Sequence, residues 1–338
     1  MRVLVTGGRG FVGINVVRTL AVAGHDVAAA DRSEVDGWVR GFLAGLDERV
    51  SHVQVDLARH DELRRVLAGQ RLDAVIHAAV ITATTVAVEV AEARSIVDVN
   101  LGGTVEALEA AVEAGVRRFV YISSPSALGD AVTLGLVDES VVPRPRTLYG
   151  MTKLASEQLV TRWTELGRVE GVSVRIAQPY GPGERATGAR VRTSPIWEWL
   201  QLAERGEALP TGPLVRARDW TYIDDTAAGI AQLATAASLA HDLYHLGTGE
   251  PVSVGDVVCE LERVYGPLQR DEAPSGDVLN PNIAGPARPP LDPARFEREF
   301  GWKPSTGVED GMRRYLDWWR DFRGLAYSPA RDASADQR

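Results

Sequence analysis

The sequence has one cysteine, Cys259, among its 338 residues. A single thiol excludes an intramolecular disulfide, which is typical of proteins from a reducing compartment. Cys259 stands in the segment VVCELERVY, whose apolar spacing predicts a helix with this thiol buried and unreactive. His77 has no second histidine or cysteine at ligand spacing, so we expect it to pack at a strand end and expect no metal site.

The sequence also lacks long apolar runs and an excess of basic residues. No apolar run approaches the roughly 20 residues that span a bilayer, and the start, MRVLVTGG, does not resemble a secretory signal. We therefore expect no membrane association. The formal net charge is -9 with scattered basic residues, which argues against nucleic acid as a partner. With 45% apolar and 25% charged residues, the composition is that of a globular protein, and we expect it in the cytoplasm.

Short β-branched runs alternate with amphipathic segments through the first half of the chain. The predicted strands are Arg2–Val5, Val27–Ala30, His52–Val55, Ala74–His77, Phe119–Ser123 and Val172–Ile176. The predicted helices between them are Phe11–Ala23, Asp61–Ala68, Ser95–Ala114 and Tyr149–Leu166. Apolar strands that alternate with helices indicate an α/β fold, a Rossmann-type doubly wound parallel sheet.

The pattern changes after Gln178, where glycine, proline and arginine become frequent. A helix at Asp225–Ala237 and a strand at Leu243–Leu246 predict a return to the sheet. We therefore assign residues 1–178, with about 219–250, to a cofactor domain. Residues of about 179–218 and 251–323 form a smaller, discontinuous C-terminal substrate lobe, and 324–338 form a disordered tail.

The segment VLVTGGRGFVG joins the first predicted strand to the first helix. Gly7 permits a tight turn, Gly10 lets the backbone approach a pyrophosphate, and Gly13 allows close packing of the helix. The helix begins at Phe11, so the unpaired N–H groups of its first turn, which includes Val12, face the phosphates. This context predicts a dinucleotide site.

Asp31 ends the second predicted strand, where a carboxylate can accept hydrogen bonds from the adenosine ribose. The carboxylate would repel a 2′-phosphate, which favours NAD. The next residue, Arg32, could instead stack on adenine or pair with a phosphate, so NADP stays open.

Tyr149 and Lys153 have a spacing that puts them on one face of a helix. An ammonium near a phenol lowers the phenol pKa from its reference of about 10. Such a tyrosine can act as base or acid toward a hydroxyl. A serine at the end of the upstream strand, Ser123 or Ser124, can bind the same substrate oxygen.

These motifs together resemble the extended short-chain dehydrogenases/reductases, in particular the NAD-dependent epimerase/dehydratase family that includes UDP-galactose 4-epimerase. The similarity covers nearly the whole chain, through TGGRGFVG, HAA, VNLGGT, SSPSALG, YGMTK, QPYGPGE, RDWTYIDD and FGWKP. The resemblance implies that Ser124, Tyr149 and Lys153 form the catalytic triad, with Lys153 also holding the nicotinamide ribose.

The resemblance assigns further residues to the two ligands. Besides the glycine loop, Asp31 and Arg32, the cofactor contacts would include Asp56, Leu57, Ala78, Ala79, Asn100 and Pro179. The substrate contacts would include Thr82, Ser124, Ser126, Gln178, Arg192, Arg218 and Arg288. Four arginines could bind a substrate diphosphate: Arg190, Arg192, Arg218 and Arg288. Of these, Arg218 is ranked first because it matches the family's substrate-lobe motif.

Several positions depart from the patterns of the resembled enzymes. Pro125 and Ser126 stand where sugar 4,6-dehydratases have Asp-Glu, which disfavours dehydration. Ser126 is neither the Glu of the decarboxylases nor the Cys of the fucose-synthase type. Leu128 replaces a common Tyr, and Gln178 replaces the Asn that usually precedes Pro-x-Gly.

The leading hypothesis from the sequence is an NAD-dependent nucleotide-sugar epimerase, in which Tyr149 takes the C4 hydroxyl proton while hydride moves to NAD and later returns. One alternative is a net NAD(P)-dependent dehydrogenase or reductase of a sugar acid or small ketone. Another is a non-catalytic NAD-binding regulator. We also expect a homodimer, joined through helices around Ser95–Ala114 and Tyr149–Leu166. The apolar residues that favour it are Val97, Val105, Leu108, Leu154, Leu159 and Val160.

Overall fold

A computed structural model describes residues 1–83, 85–130, 135–187, 193–274, 279–284 and 288–323. Arg190, Arg192 and the tail assigned to 324–338 lie outside these residues. Within the described part, no helix is long and apolar enough to cross a bilayer.

The strands of the first half form close to their predicted bounds. In chain order, the strands are β1 (Arg2–Thr6), β2 (Asp26–Asp31), β3 (Val50–Gln54), β4 (Ala74–His77), β5 (Arg118–Ser123), β6 (Glu170–Ile176), β7 (Gln178–Tyr180), β8 (Leu209–Pro210), β9 (Ala217–Arg218), β10 (Trp220–Tyr222), β11 (Leu243–Leu246), β12 (Val252–Ser253) and β13 (Arg270–Asp271).

The helices follow the predicted alternation. They are α1 (Phe11–Val22), α2 (Gly37–Phe42), α3 (Glu62–Leu67), α4 (Val86–Ala91), α5 (Ala93–Val97), α6 (Gly103–Glu113), α7 (Leu148–Glu165), α8 (Pro195–Arg205), α9 (Ile223–Thr235), α10 (Val254–Tyr265), α11 (Pro281–Ala284), α12 (Ala294–Phe300) and α13 (Val308–Arg323). A 3-10 turn, Pro125–Ala127, follows β5.

Seven parallel strands form the central sheet, in the order β11-β6-β5-β4-β1-β2-β3. The order reverses between β4 and β1, so loops that leave the carboxyl ends of these two strands diverge and open a crevice. Side chains alternate across each strand: Val3 and Val5 join the core on one face with α1 and α9, while Leu4 joins the core on the other face with α3 and α6. The predicted Rossmann-type fold is confirmed.

A third core, rich in aromatic residues, is formed mostly by residues of the predicted substrate lobe. α8, α10 and α13 pack around Trp197, Trp199 and Trp220, and Trp197 meets Trp319 edge to face with ring centroids 4.5 Å apart. Ser194 caps α8, and Ser253 and Asp256 form a capping box on α10. These caps satisfy N–H groups that the first helical turn leaves unpaired.

Three expectations differ from the structure. The helix predicted over 95–114 is interrupted by a π-helical turn at Asp98–Gly102, which frees the Asn100 carbonyl to accept the Thr104 and Ser156 hydroxyls at 2.7 and 3.1 Å. Cys259 is exposed, because Val254, Val257, Val258 and Leu261 form the buried stripe of α10. Leu108 and Val160, two of the residues assigned to a dimer interface, belong to the sheet-facing core.

Candidate active site

The glycine loop lies in the crevice between β1 and β4. Gly7 has φ +64°, and a Cβ there would lie 2.7 Å from the backbone of Ala79. A Cβ at Gly13 would overlap the carbonyl oxygen of Gly7, so this glycine permits helix α1 to pack on the loop itself. Gly10, Phe11 and Val12 line the same crevice at the start of α1. The backbone and the positive end of the helix are therefore presented to an anion.

Asp31 lies at the far end of this crevice with an oriented carboxylate. Its oxygens accept the backbone N–H groups of Arg9 and Ser33, both at 3.1 Å, and the Ser33 hydroxyl at 3.0 Å. Asp56, Leu57 and the exposed Arg32 line the crevice nearby. This places a carboxylate where the sequence predicts the adenosine ribose.

Arg9 is a residue of this region that the sequence analysis did not single out. Its buried guanidinium donates to the carbonyl oxygens of Asp31 and Val53, both at 3.2 Å, and of Ser33. It thereby ties the glycine loop to the ends of β2 and β3. Its place inside the glycine loop was the available signal, but nothing in the sequence shows that the side chain turns inward.

Ala78, Ala79 and Thr82 form the wall that follows β4. Asn100 does not line this wall, although the resemblance assigned it to the cofactor. It is buried behind the wall, where its side chain accepts the Ile81 N–H at 2.8 Å and donates to the Ile81 carbonyl at 3.1 Å. Its action on the cofactor site is therefore indirect, through the position of this segment.

The two candidate serines have different environments. Ser123 also lines the crevice, but it is buried and its hydroxyl donates to Glu157 Oε1 at 2.5 Å. Ser124 is partly exposed on the crevice wall and caps the 3-10 turn, accepting the Ser126 N–H at 3.2 Å. Of the two alternatives, Ser124 is the more exposed, and among the described residues its hydroxyl has no carboxylate partner like that of Ser123.

Tyr149 and Lys153 lie in the first turns of α7, whose start is fixed because Thr147 accepts the Gly150 N–H at 3.1 Å. Lys153 Nζ donates to the Ile122 carbonyl at 2.6 Å and lies 5.9 Å from the centre of the Tyr149 ring and 4.7 Å from that of Tyr121. Both predicted residues line the crevice.

The ammonium of Lys153 is almost completely buried. Burial lowers its pKa to about 7, while the carboxylate of Glu157 acts in the opposite direction. Glu157 is itself paired with the buried Arg175, which donates through Nε at 2.9 Å and Nη2 at 2.7 Å. The His77 ring is also close, with its pKa lowered to about 3 by burial and by Lys153, so it is neutral at physiological pH.

The opposite wall of the crevice is formed by Gln178 and by residues of the predicted substrate lobe. Gln178, Pro179, Arg218 and Arg288 all line it, as Ser126 does from the catalytic side. Burial lowers the pKa of Arg218 to about 10, and the positive charges of Arg288 and Arg216 act in the same direction. Several cations therefore face one wall, which favours a ligand with negative charge.

Arg185 is a second lining residue that the sequence analysis missed. Its guanidinium lies 4.4 Å from the ring centre of Trp38 and donates to Asp36 at 2.5 Å. Both partners follow β2, so Arg185 links the loop after β7 to the cofactor side of the crevice. The ion pair joins residues far apart in sequence, which periodicity does not reveal.

The crevice fits a dinucleotide. Only a glycine fits at position 7, α1 begins at the expected phosphate position, and Asp31 is oriented at the ribose end. The Nε2 of Gln178 is buried on the wall and has no acceptor among the described residues. When bound, NAD would therefore lie along Gly7–Gly13, Asp31, Leu57 and Ala78–Ala79, toward Tyr149 and Lys153.

Comparisons with known proteins agree with this geometry. The UDP-glucose 4-epimerase of Streptomyces lividans is 31% identical over 317 residues, which cover 89% of this chain and 91% of that protein. The dTDP-glucose 4,6-dehydratase of Neisseria gonorrhoeae is 28% identical over 343 residues, 94% of this chain and 95% of that protein. The structure of the UDP-glucose 4-epimerase of Thermus thermophilus in complex with NAD is similar with a TM-score of 0.79 and 27% identity, over 95% of this chain and 99% of that one.

The model of the NAD dependent epimerase/dehydratase family matches residues 3–247, well over half of the chain. The match contains the glycine loop, Ser124, Tyr149 and Lys153, the residues that converge on the crevice. The chain belongs to the NAD dependent epimerase/dehydratase family, and it is an enzyme whose cofactor is NAD.

Proposed function

We propose that this enzyme epimerises a nucleotide-sugar at a carbon that bears a hydroxyl group. The observation on which the proposal depends most is that Ser124, Tyr149 and Lys153 meet the glycine loop in one crevice whose opposite wall is lined by arginines. Two relatives that are named UDP-glucose 4-epimerases are similar to this chain over most of their length, which supports the same function.

Tyr149 is the group that moves the proton. Its phenol lies beside the Lys153 ammonium, and a nearby cation favours the phenolate, which can accept a proton from a sugar hydroxyl. Ser124 donates a hydrogen bond to the same substrate oxygen from the end of β5. NAD, when bound, supplies the hydride acceptor and donor. The Ile122 carbonyl and the Tyr121 ring hold Lys153 in place during the proton transfer.

The charges along the crevice disfavour dehydration. Elimination of water needs a proton donor for the leaving hydroxyl, and carboxyl groups are the usual ones. Among the described residues, the carboxylates that line the crevice are Asp31, Asp56 and Asp219. The first two are at the adenosine end, and Asp219 accepts hydrogen bonds from the lobe backbone. At the catalytic end stand Pro125 and Ser126.

Arg218 and Arg288 are proposed to bind the diphosphate of the nucleotide-sugar. Both line the crevice, and the charge of Arg288 affects the pKa of Arg218. Arginine suits this role because it remains charged even where burial lowers its pKa, and its planar group binds phosphate through two hydrogen bonds. The alternative dehydrogenase or reductase hypothesis has a sugar acid or a small ketone as substrate. A small neutral ketone would bring no negative charge to these cations, and a sugar acid would bring a carboxylate but no diphosphate.

The proposal is tested by product analysis with UDP-glucose, UDP-galactose, UDP-glucuronate and dTDP-glucose, in the presence of NAD. We expect one of them to give its 4-epimer, seen by NMR, with no NADH absorbance accumulating. Net accumulation of NADH would instead identify a dehydrogenase, and a 4-keto-6-deoxy product a dehydratase. NAD binding without turnover of any of these sugars would contradict the proposal and favour a regulator. Tyr149→Phe is the control, because it removes the proton-transfer group and keeps the ring.

A further inference from the structure

Asp219 is a buried carboxylate between β9 and β10, at the wall of the crevice. Its Oδ1 accepts the Thr248 N–H at 2.9 Å, the Thr248 hydroxyl at 2.7 Å and the Thr221 hydroxyl at 3.4 Å. Its Oδ2 accepts the N–H groups of Leu291 at 3.2 Å and Gly249 at 3.4 Å. A buried charge requires such partners, since burial without them is unfavourable by several kcal/mol.

The donors come from segments that are distant in sequence. Thr248 and Gly249 follow β11 at the edge of the central sheet. Leu291 lies three residues after Arg288. The Pro290 carbonyl between them accepts the Val137 N–H at 3.0 Å. A Cβ at Gly247 would overlap Asp219 Oδ2, so the carboxylate packs directly against the backbone at this position. One carboxylate therefore joins three pieces of the chain, two of which line the crevice.

Two of these pieces contain the arginines of the proposed diphosphate site. Arg218 precedes Asp219 and donates to the carbonyls of Asn282 at 2.8 Å and Ala217 at 2.7 Å. Arg288 lies three residues before Leu291. Burial is the main cause of the lowered pKa of Arg218, and the positive charge of Arg288 acts in the same direction, so both segments contain like charges. Because Asp219 follows Arg218 and accepts the Leu291 N–H, it opposes the separation that repulsion between the two cations favours.

We propose that Asp219 is a positioning residue that fixes the separation of Arg218 and Arg288 and thereby determines the affinity of the crevice for a diphosphate. It acts through the backbone N–H of Leu291 and does not touch the reacting atoms. This inference rests on the proposed nucleotide-sugar function, because it needs a substrate with two phosphates. It predicts selectivity for nucleoside diphosphates over monophosphates that depends on a side chain behind the arginines.

The test compares UDP with UMP, and dTDP with dTMP, by calorimetry on the NAD-bound enzyme and its variants. Asp219→Asn keeps the size of the side chain but turns one acceptor into a donor that faces N–H groups. We expect the diphosphate Kd to rise roughly tenfold to a hundredfold, as for loss of a buried charged partner, with the monophosphate Kd changing less than about threefold. Asp225→Asn is the matched control, because Asp225 also accepts two lobe N–H groups, of Ser305 and Thr306, and does not line the crevice.

A second pair of variants covers the case in which Asp219→Asn does not fold. Thr248→Val removes the shortest hydrogen bond to Asp219, and Thr248→Ser keeps it. We expect Thr248→Val to weaken diphosphate binding by roughly threefold or more, and Thr248→Ser to restore it. An unchanged ratio of diphosphate to monophosphate affinity in Asp219→Asn or Thr248→Val would overturn the role of Asp219 and leave the proposed function standing. Equal affinity for diphosphate and monophosphate in the unsubstituted enzyme would overturn this inference together with the proposed diphosphate site, whereas the epimerase activity is tested separately by product analysis.

Discussion

Lys153 is a buried ammonium, and replacing it with an apolar side chain of similar length should make the NAD-free protein more stable below pH 7. Burial lowers its pKa from the ordinary 10.5 to about 7. At 1.36 kcal/mol for each pH unit, keeping the charge buried is unfavourable by about 5 kcal/mol at most. Lys153→Met removes this term but leaves the Ile122 carbonyl without its donor, which costs about 1–3 kcal/mol. We expect a net stabilisation of about 2–4 kcal/mol at pH 6.

The stabilisation should depend on pH with a definite sign. Between pH 7 and 10.5 the unfolded chain keeps the Lys153 proton while the folded protein loses it, so the unsubstituted protein gains stability as pH rises. The advantage of Lys153→Met is therefore full below pH 7 and shrinks toward pH 10.5. Urea unfolding at pH 6 and pH 9 measures it, with Lys303→Met as the control, because Lys303 is 54% exposed. A variant less stable than the parent at pH 6, or an advantage equal at both pH values, would refute the reasoning.

Four further predictions follow from the crevice and its surroundings. Tyr149→Phe should lower turnover by roughly two to four orders of magnitude with NAD affinity unchanged, and a nearly unchanged rate in steady-state assays would remove Tyr149 from the mechanism. NAD should bind more tightly than NADP, because the Asp31 carboxylate repels a 2′-phosphate; tighter NADPH binding in a fluorescence titration would contradict this. Glu157→Gln should destabilise the fold by about 3–5 kcal/mol in urea, because it breaks the buried pair with Arg175, and a loss below about 1 kcal/mol would mean that the pair contributes little. The protein should form a dimer, which we expect to be joined through α6 and α7, and light scattering should give the mass of two chains; a monomer at micromolar concentration would exclude that interface.

The sequence determined much of the cofactor side of this enzyme. Apolar strands alternating with helices predict a parallel sheet, and the glycines at positions 7 and 13 are required by local backbone geometry. Asp31 and the pair Tyr149 and Lys153 are likewise set by short-range rules: a strand end, and one turn of a helix. Local rules of this kind depend on neighbours in sequence, so a single chain is enough to apply them.

The tertiary structure decided which of these groups face the crevice. Ser123 and Ser124 are adjacent in sequence and both line the crevice, and only the pairing of Ser123 with Glu157 of α7 distinguishes their environments. Asn100 lies in the π-helical turn and is buried, where its side chain binds the backbone of Ile81 in the segment after β4. Arg185 and Asp219 act through partners far away in sequence, Asp36 and Leu291. Periodicity in the sequence describes one helix or strand at a time. The crevice wall opposite the catalytic residues depends on contacts between distant segments, and these contacts form only when the whole chain is packed.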